Sequence, residues 1–182
     1  MIVPVHNGAA FLGETLRAVA AQTHGNLELI VIDDASSDDS LAVVAACGVA
    51  AQVITQLSGG VCRARNRGLA ASTGDFICFL DQDDIWHPQH LEKQLACFAA
   101  QEEFGVVVSP YQHWYPLSSG GYLSAGSALA PEIPLALDPE FTGWVYHQFL
   151  LDCWALTSAT MIRRRVLLEQ DRKSTRLNSS HQ

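Results

Sequence analysis

Three short apolar runs each stop abruptly in polar residues. Ile2-Val3-Pro4-Val5 breaks at His6-Asn7-Gly8, and Leu29-Ile30-Val31-Ile32 breaks at Asp33-Asp34. Phe76-Ile77-Cys78-Phe79-Leu80 breaks at Asp81-Gln82-Asp83-Asp84. Continuous, β-branched runs of this length suit strands buried on both faces. Ala51-Gln52-Val53-Ile54-Thr55-Gln56 reads as a further strand. Between the runs, Phe11, Leu12, Thr15, Leu16, Val19 and Ala20 follow helical spacing and predict a helix over 9–22. Further helices are expected over 38–47, 61–71 and 87–101. Ser37 or Asp38 is placed to cap the 38–47 helix and Gly48 to stop it; Pro88 lies near the first turn of the 87–101 helix. This βαβαβαβα alternation predicts an α/β fold with a mostly parallel central sheet flanked by helices and right-handed crossovers.

Beyond Phe104 the pattern changes. Residues 105–109 read as a strand continuing toward Trp114. The stretch 116–140 is broken by Pro116, Pro131, Pro134 and Pro139 and reads as loops forming a flap or an insert. A helix is expected over 144–154, a strand over 157–162 and a helix from about Arg163.

The strand ends carry the candidate chemistry. In an open, mostly parallel sheet, ligands bind outside the carboxyl ends of the strands, where strand order reverses. That rule gathers all three polar clusters at one edge, with Asn7, Asp34, Arg65 and Asp83 around one cleft. Three carboxylates within four residues repel one another and lose hydration, which a hard cation such as Mg²⁺ or Mn²⁺ would relieve while sharing its oxygen ligands with a substrate phosphate. The alternative for 81–84 is a solvated acidic turn, with Asp84 capping the helix that follows.

Composition narrows the classes. The chain has 182 residues, 48% hydrophobic and 16% charged, enough for one domain with a core. A net charge of −8 argues against a nucleic-acid partner. Its five cysteines lack CxxC spacing, so buried free thiols in a reducing compartment are expected, with Cys62 a small packing residue. No apolar run approaches the roughly 18 residues of a membrane span, and no signal peptide is visible. His87 and His90 read as a surface pair rather than a zinc site. Neither GxGxxG after the first strand nor GxxxxGK[ST] occurs, which removes the main support for dinucleotide and P-loop readings.

A series of motifs in order resembles the family 2 glycosyltransferases, inverting enzymes of the GT-A fold. They are Val3-Pro4-Val5-His6-Asn7 with Glu14 and Gln22-Thr23; Val31-Ile32-Asp33-Asp34-Ala35-Ser36-Ser37-Asp38; Gly60-Val61-Cys62-Arg63-Ala64-Arg65-Asn66-Arg67-Gly68; and Asp81-Gln82-Asp83-Asp84. The resemblance is close over residues 2–99 and continues weakly to Leu168. It implies a nucleotide-diphosphate sugar as donor, a saccharide, lipid or protein acceptor, and a divalent cation, Mn or Mg. By the same resemblance, Pro4, Asn7 and Glu14 line the nucleoside pocket and Asp33 and Asp34 read the base or ribose. Arg65 lies near the diphosphate, Asp83 is the direct metal ligand, and Asp81 lies nearer the ribose within the same metal-binding DxD element. The competing readings are a sugar-1-phosphate nucleotidyltransferase and a nonenzymatic nucleotide-sugar binding module.

The family's general base follows a Gly-Phe-Asp-like segment that is not found here, and Asp138, Glu140 and Asp152 lie in no matching motif. The expectation is a GT-A domain over 1–170, truncated at its C-terminus, that binds donor but lacks its catalytic base. Residues 171–182 resemble the translation of a short-read sequencing adapter and read as a non-native tail. The expected location is the cytoplasm, free or against the inner face of a membrane.

Overall fold

The structure, a computed structural model, describes residues 1–111, 114–116, 122–124 and 156–168. It opens with the expected alternation: β1 (Ile2–Val5), α1 (Ala9–Ala20), β2 (Ile30–Asp34), α2 (Ser40–Ala46), β3 (Gln52–Gln56), α3 (Val61–Ala71), β4 (Phe76–Cys78) and α4 (His90–Ala100). Then follow β5 (Val106–Val108), β6 (Trp114–Pro116), β7 (Tyr122–Ser124), a 3₁₀ turn (Thr157–Ala159) and β8 (Thr160–Arg163). Residues 164–168 are helical.

β1, β2 and β3 pair in parallel, with β2 in the middle. An isolated parallel bridge between Ile2 and Phe79 attaches the β4 run to the other side of β1. The sheet therefore grows outward from β1 to β3, then reverses to β4. α3 makes that return on the opposite face from α1 and α2, as right-handed crossovers require. Alternate strand residues divide between two cores accordingly. Val3, Val5, Val31, Cys78 and Leu80 pack with Leu12, Leu16, Val19, Val44 and Phe98 of the helices on one face. Ile2, Ile30, Ile32 and Ile77 pack with Ala64 of α3 on the other. Gly68 lets α3 lie close on β1, because a Cβ there would stand 2.3 Å from Ile2 Cγ2.

Pro4 lies inside the sheet, between β2 and the β4 run. It is buried within β1 and pairs with Ile32 of β2. Leu80 N–H donates to Ile2 C=O at 3.0 Å, so the next β1 residue facing the β4 run is Pro4. Proline has no N–H to continue that ladder. The two strands part just where strand order reverses.

Several boundaries differ from expectation. β8 is antiparallel and inserts between β4 and β5, so the mostly parallel sheet is mixed in its second half. The strand expected from 157 begins at Thr160, because its first three residues form the 3₁₀ turn. The strand at 105–109 does not run on to Trp114; β6 is separate and pairs antiparallel with β7, which falls inside the expected loop region. Helix α4 starts at His90, too far on for Asp84 to cap it. Gly48 adopts φ +69 just after α2, the left-handed conformation of a helix stop. His90 is buried and stacked on Trp86, not a surface residue. Cys78 and Cys97 are buried free thiols, whereas Cys62 is exposed rather than packed. The helix expected over 144–154, most of 116–140, Asp138, Glu140, Asp152 and the 171–182 tail lie outside the described residues.

Candidate functional site

The loops after β1 and β2 are stitched to each other. Asn7 N–H donates to Ser36 Oγ (3.0 Å), and Asn7 Oδ1 accepts from Ser37 N–H (2.8 Å). Gly8 N–H donates to Ser40 Oγ (2.9 Å) and Ala9 N–H to Asp38 Oδ2 (2.9 Å). Asp38 therefore ties the start of α1 to its own loop, and the Ser40 hydroxyl and Ala9 N–H hold its carboxyl below the usual range. His6 Nδ1 donates to Asp34 C=O at 2.7 Å. The stitching holds two non-glycine residues in the left-handed region, Asn7 at φ 51 and Ala35 at φ 59. Such strain persists only where neighbouring contacts over-determine it.

Asp34 faces inward. Its Oδ1 accepts from Gln56 Nε2 (2.7 Å) and Gly59 N–H (2.8 Å), and its Oδ2 from Gly60 N–H (2.8 Å). The Gln56 hydrogen bond leads in lowering its carboxyl below the usual range, with the Gly60 and Gly59 N–H groups adding to the effect and burial opposing it. This carboxylate holds the loop that turns β3 into α3. Gly60, at φ +82, makes that turn possible. Asp33 is buried, and its Oδ1 accepts from Ser36 N–H at 3.3 Å.

The 81–84 turn is built differently. Asp84 N–H donates to Asp81 C=O (3.2 Å), closing it. Gln82 docks it to β1: its Oε1 accepts from His6 N–H (2.9 Å) and its Nε2 donates to His6 C=O (3.2 Å). Thr15 Oγ1 donates to Gln82 C=O (2.8 Å). Gly8 leaves room for this dock, since a Cβ there would lie 2.4 Å from Gln82 Oε1. Arg65 Nη2 pairs with Asp81 Oδ1 at 2.6 Å, while Arg65 Nε is buried without a partner. Partial burial raises the Asp84 carboxyl above the usual range, the Asp83 and Asp81 charges adding to it against a hydrogen bond from Ser158. Asp83 is exposed at the corner of the turn and has no hydrogen-bond or ion-pair partner among the described residues.

The structure thus brings Asn7, Asp33, Asp34, Arg65, Asp81 and Asp83 to the carboxyl edge of the sheet, linked through His6 and Gln82. Pro4 underlies the gap. Glu14 is exposed on α1, and no hydrogen bond joins it to this cluster. Arg63 and Arg67 face solvent, as their alternation with Arg65 suggests. Arg65 occupies one of the two Asp81 carboxylate oxygens. No group of three or more His, Cys, Asp or Glu among the described residues is arranged to hold a metal unaided. A single free carboxylate still fits Mg²⁺ or Mn²⁺ chemistry when substrate phosphates supply the other oxygens. His6, Gln56, Gln82 and Ser158 were not singled out from the sequence. Gln82 had one signal, its place between two aspartates; Ser158 had none.

Residues 1–125 match the family described as Glycosyl transferase family 2. The chain belongs to that family. It is 34% identical over 111 residues to an uncharacterised glycosyltransferase of Nostoc sp. (strain PCC 7120), covering 59% of this chain and 34% of the relative. It is 34% identical over 113 residues to the amylovoran biosynthesis glycosyltransferase AmsB of Erwinia amylovora, covering 58% and 37%. The chain spans about a third of the length of these relatives. Among solved structures, the fold matches S. aureus TarS 1-349 in complex with UDP at TM-score 0.66 and 21% identity, covering 93% of this chain and 48% of that one. The mannosyltransferase PcManGT of Pyrobaculum calidifontis, in complex with GDP-Man and Mn²⁺, matches at TM-score 0.56 and 25% identity, covering 60% and 34%. The architecture is that of the GT-A glycosyltransferases. No helix among the described residues is long and apolar enough to cross a membrane.

Proposed function

We propose that this chain binds a nucleotide-diphosphate sugar at the gap between β1 and the 81–84 turn, for inverting transfer of the sugar to an acceptor. The observation that carries this is Asp83: it is an exposed carboxylate without a partner among the described residues, in a turn whose Asp81 is paired with Arg65 and whose Gln82 is docked on His6. Asp83 would hold Mg²⁺ or Mn²⁺ against the diphosphate. The ion, when bound, supplies Lewis acidity to the leaving diphosphate. Arg65 adds a planar, permanently charged donor at the same place, with Asp81 orienting it. The 6–9 and 33–40 loops would receive the nucleoside, Asp34 setting loop shape rather than offering a free carboxylate. Relatives supporting this reading include one crystallised with GDP-Man and Mn²⁺. The family match favours glycosyl transfer over sugar-1-phosphate nucleotidyl transfer.

Inverting transfer needs a general base for the acceptor hydroxyl. We assign none within the described residues. The test of donor binding is a titration of UDP and of GDP with and without Mn²⁺, using the parent, Asp83→Ala and Asp81→Ala. Removing an outer-shell partner of a metal typically costs about 10–100-fold in affinity, and Asp83→Ala should cost at least that in the Mn²⁺-dependent part. Equal affinity across all conditions would overturn the reading.

A further inference from the structure

We propose that Ser158 is the positioning residue of the acidic turn, its hydroxyl anchoring the start of residues 81–84 so that Asp83 is held at the corner. This rests on the donor-binding reading of that turn. Ser158 Oγ accepts from Asp81 N–H at 3.0 Å. A serine hydroxyl offers two lone pairs, so it can serve as the acceptor for the Asp81 N–H. The turn's own bond, Asp84 N–H to Asp81 C=O, is thereby braced from outside.

Ser158 is itself fixed by the rest of the fold. Its carbonyl accepts from Trp86 Nε1 at 2.6 Å, and the next carbonyl, Ala159 C=O, accepts from Gln94 Nε2 (2.8 Å) and Ser109 N–H (2.8 Å). Trp86 is stacked on His90 of α4, ring centroids 4.3 Å apart. The 3₁₀ turn runs straight into β8, which lies between β4 and β5. The position of Asp83 is thus set by a residue more than 70 positions away. With Gln82 docked on His6 and Asp81 paired with Arg65, Ser158 supplies the remaining constraint.

The test compares the full 182-residue parent with Ser158→Ala and Ser158→Thr. Amide hydrogen exchange is followed in residues 79–86, with 30–34 as an internal reference, and UDP and GDP affinities are measured with and without Mn²⁺. An unmade buried hydrogen bond costs enough to speed exchange about 10-fold, so Ser158→Ala should do that at 81–84 and leave 30–34 unchanged. It should also lose about 10-fold of the Mn²⁺-dependent affinity while metal-free affinity stays within about twofold. Ser158→Thr, which keeps the hydroxyl, should restore both. The proposal is overturned if exchange at 81–84 is unaltered, or if metal-free and metal-dependent affinity fall together and Thr fails to rescue them. A parent that binds neither nucleoside diphosphate overturns the donor reading instead, and the exchange arm still decides whether the hydroxyl fixes the turn.

Discussion

Two acidic strand ends look alike in the sequence and do different work. At the end of β2, Asp34 turns both carboxylate oxygens inward onto Gln56, Gly59 and Gly60. After β4, Asp81 is paired with Arg65, and Asp83 is left exposed without a partner among the described residues. Clustered carboxylates are therefore not a single signal. A carboxylate surrounded by N–H donors is a scaffold element, and its charge is already compensated. One that stands exposed at the corner of an anchored turn is available to a cation.

The difference implies opposite outcomes for stability and binding. The largest effect should come from Asp34→Ala. It strips three donors of their acceptor, and unmade buried bonds cost about 1–3 kcal/mol each, though not additively. We expect a stability loss of about 2–4 kcal/mol by denaturant unfolding. Asp83→Ala should unfold within about 0.5 kcal/mol of the parent, as surface substitutions do. Matching losses in the two variants would erase the distinction.

Gly8→Ala should come next. Its Cβ cannot coexist with Gln82 Oε1 at 2.4 Å, so Gln82 must leave His6. Overpacking of this kind costs about 1–3 kcal/mol. Gln82→Ala in the same chain should return part of that loss, which a double-mutant cycle would read. Additive losses would mean that the dock does not join β1 to the turn.

The pH dependence of stability separates two groups by window. His90 is pushed down from 6.5 to about 4, chiefly by burial, so the folded state binds fewer protons than the unfolded one. Its contribution is complete above about pH 6.5 and declines as pH falls toward 4. Asp34, held below its ordinary 3.8, also binds fewer protons when folded, and its contribution is lost only below that value. His90→Leu should flatten the upper part of the acid limb, and Asp34→Asn the lower part. Unaltered limbs in chemical denaturation between pH 3 and 7, roughly the range that spans these groups, would contradict the assignments.

The smallest expected effect is at Ala35, which sits at φ 59. A left-handed conformation costs a residue with a Cβ roughly 1–2 kcal/mol, and glycine escapes it at some cost in unfolded-chain entropy. Ala35→Gly should therefore stabilise the chain by up to about 1 kcal/mol. A destabilised variant would mean that the strain is not borne at this residue.

How much was legible follows from the same physics. Strands buried on both faces write unbroken apolar runs, so β1, β2 and the β4 run could be read directly, together with the edge on which their polar ends gather. The helices between them showed through periodicity at Leu12, Leu16 and Val19. What stayed hidden depends on contacts between distant segments. The motifs named both Arg65 and Asp81, but nothing in their spacing said that each occupies the other. That Pro4 lies beside the gap follows only from strand order. β8 could be read as a strand, yet not as the antiparallel one between β4 and β5, because a long connection leaves its direction open. Ser158 carries no local pattern at all; only the pairing of β8 with β4 brings it to the acidic turn.

The most direct measurement is the Mn²⁺ electron paramagnetic resonance signal in the presence of UDP or GDP, recorded for the parent, Asp83→Asn and Asp81→Asn. Asparagine keeps the shape and removes the charge. The parent should hold bound Mn²⁺, Asp83→Asn should leave the ion free in solution, and Asp81→Asn should retain most of it, since Asp81 already answers to Arg65. Loss of bound Mn²⁺ in Asp81→Asn, with retention in Asp83→Asn, would contradict the account.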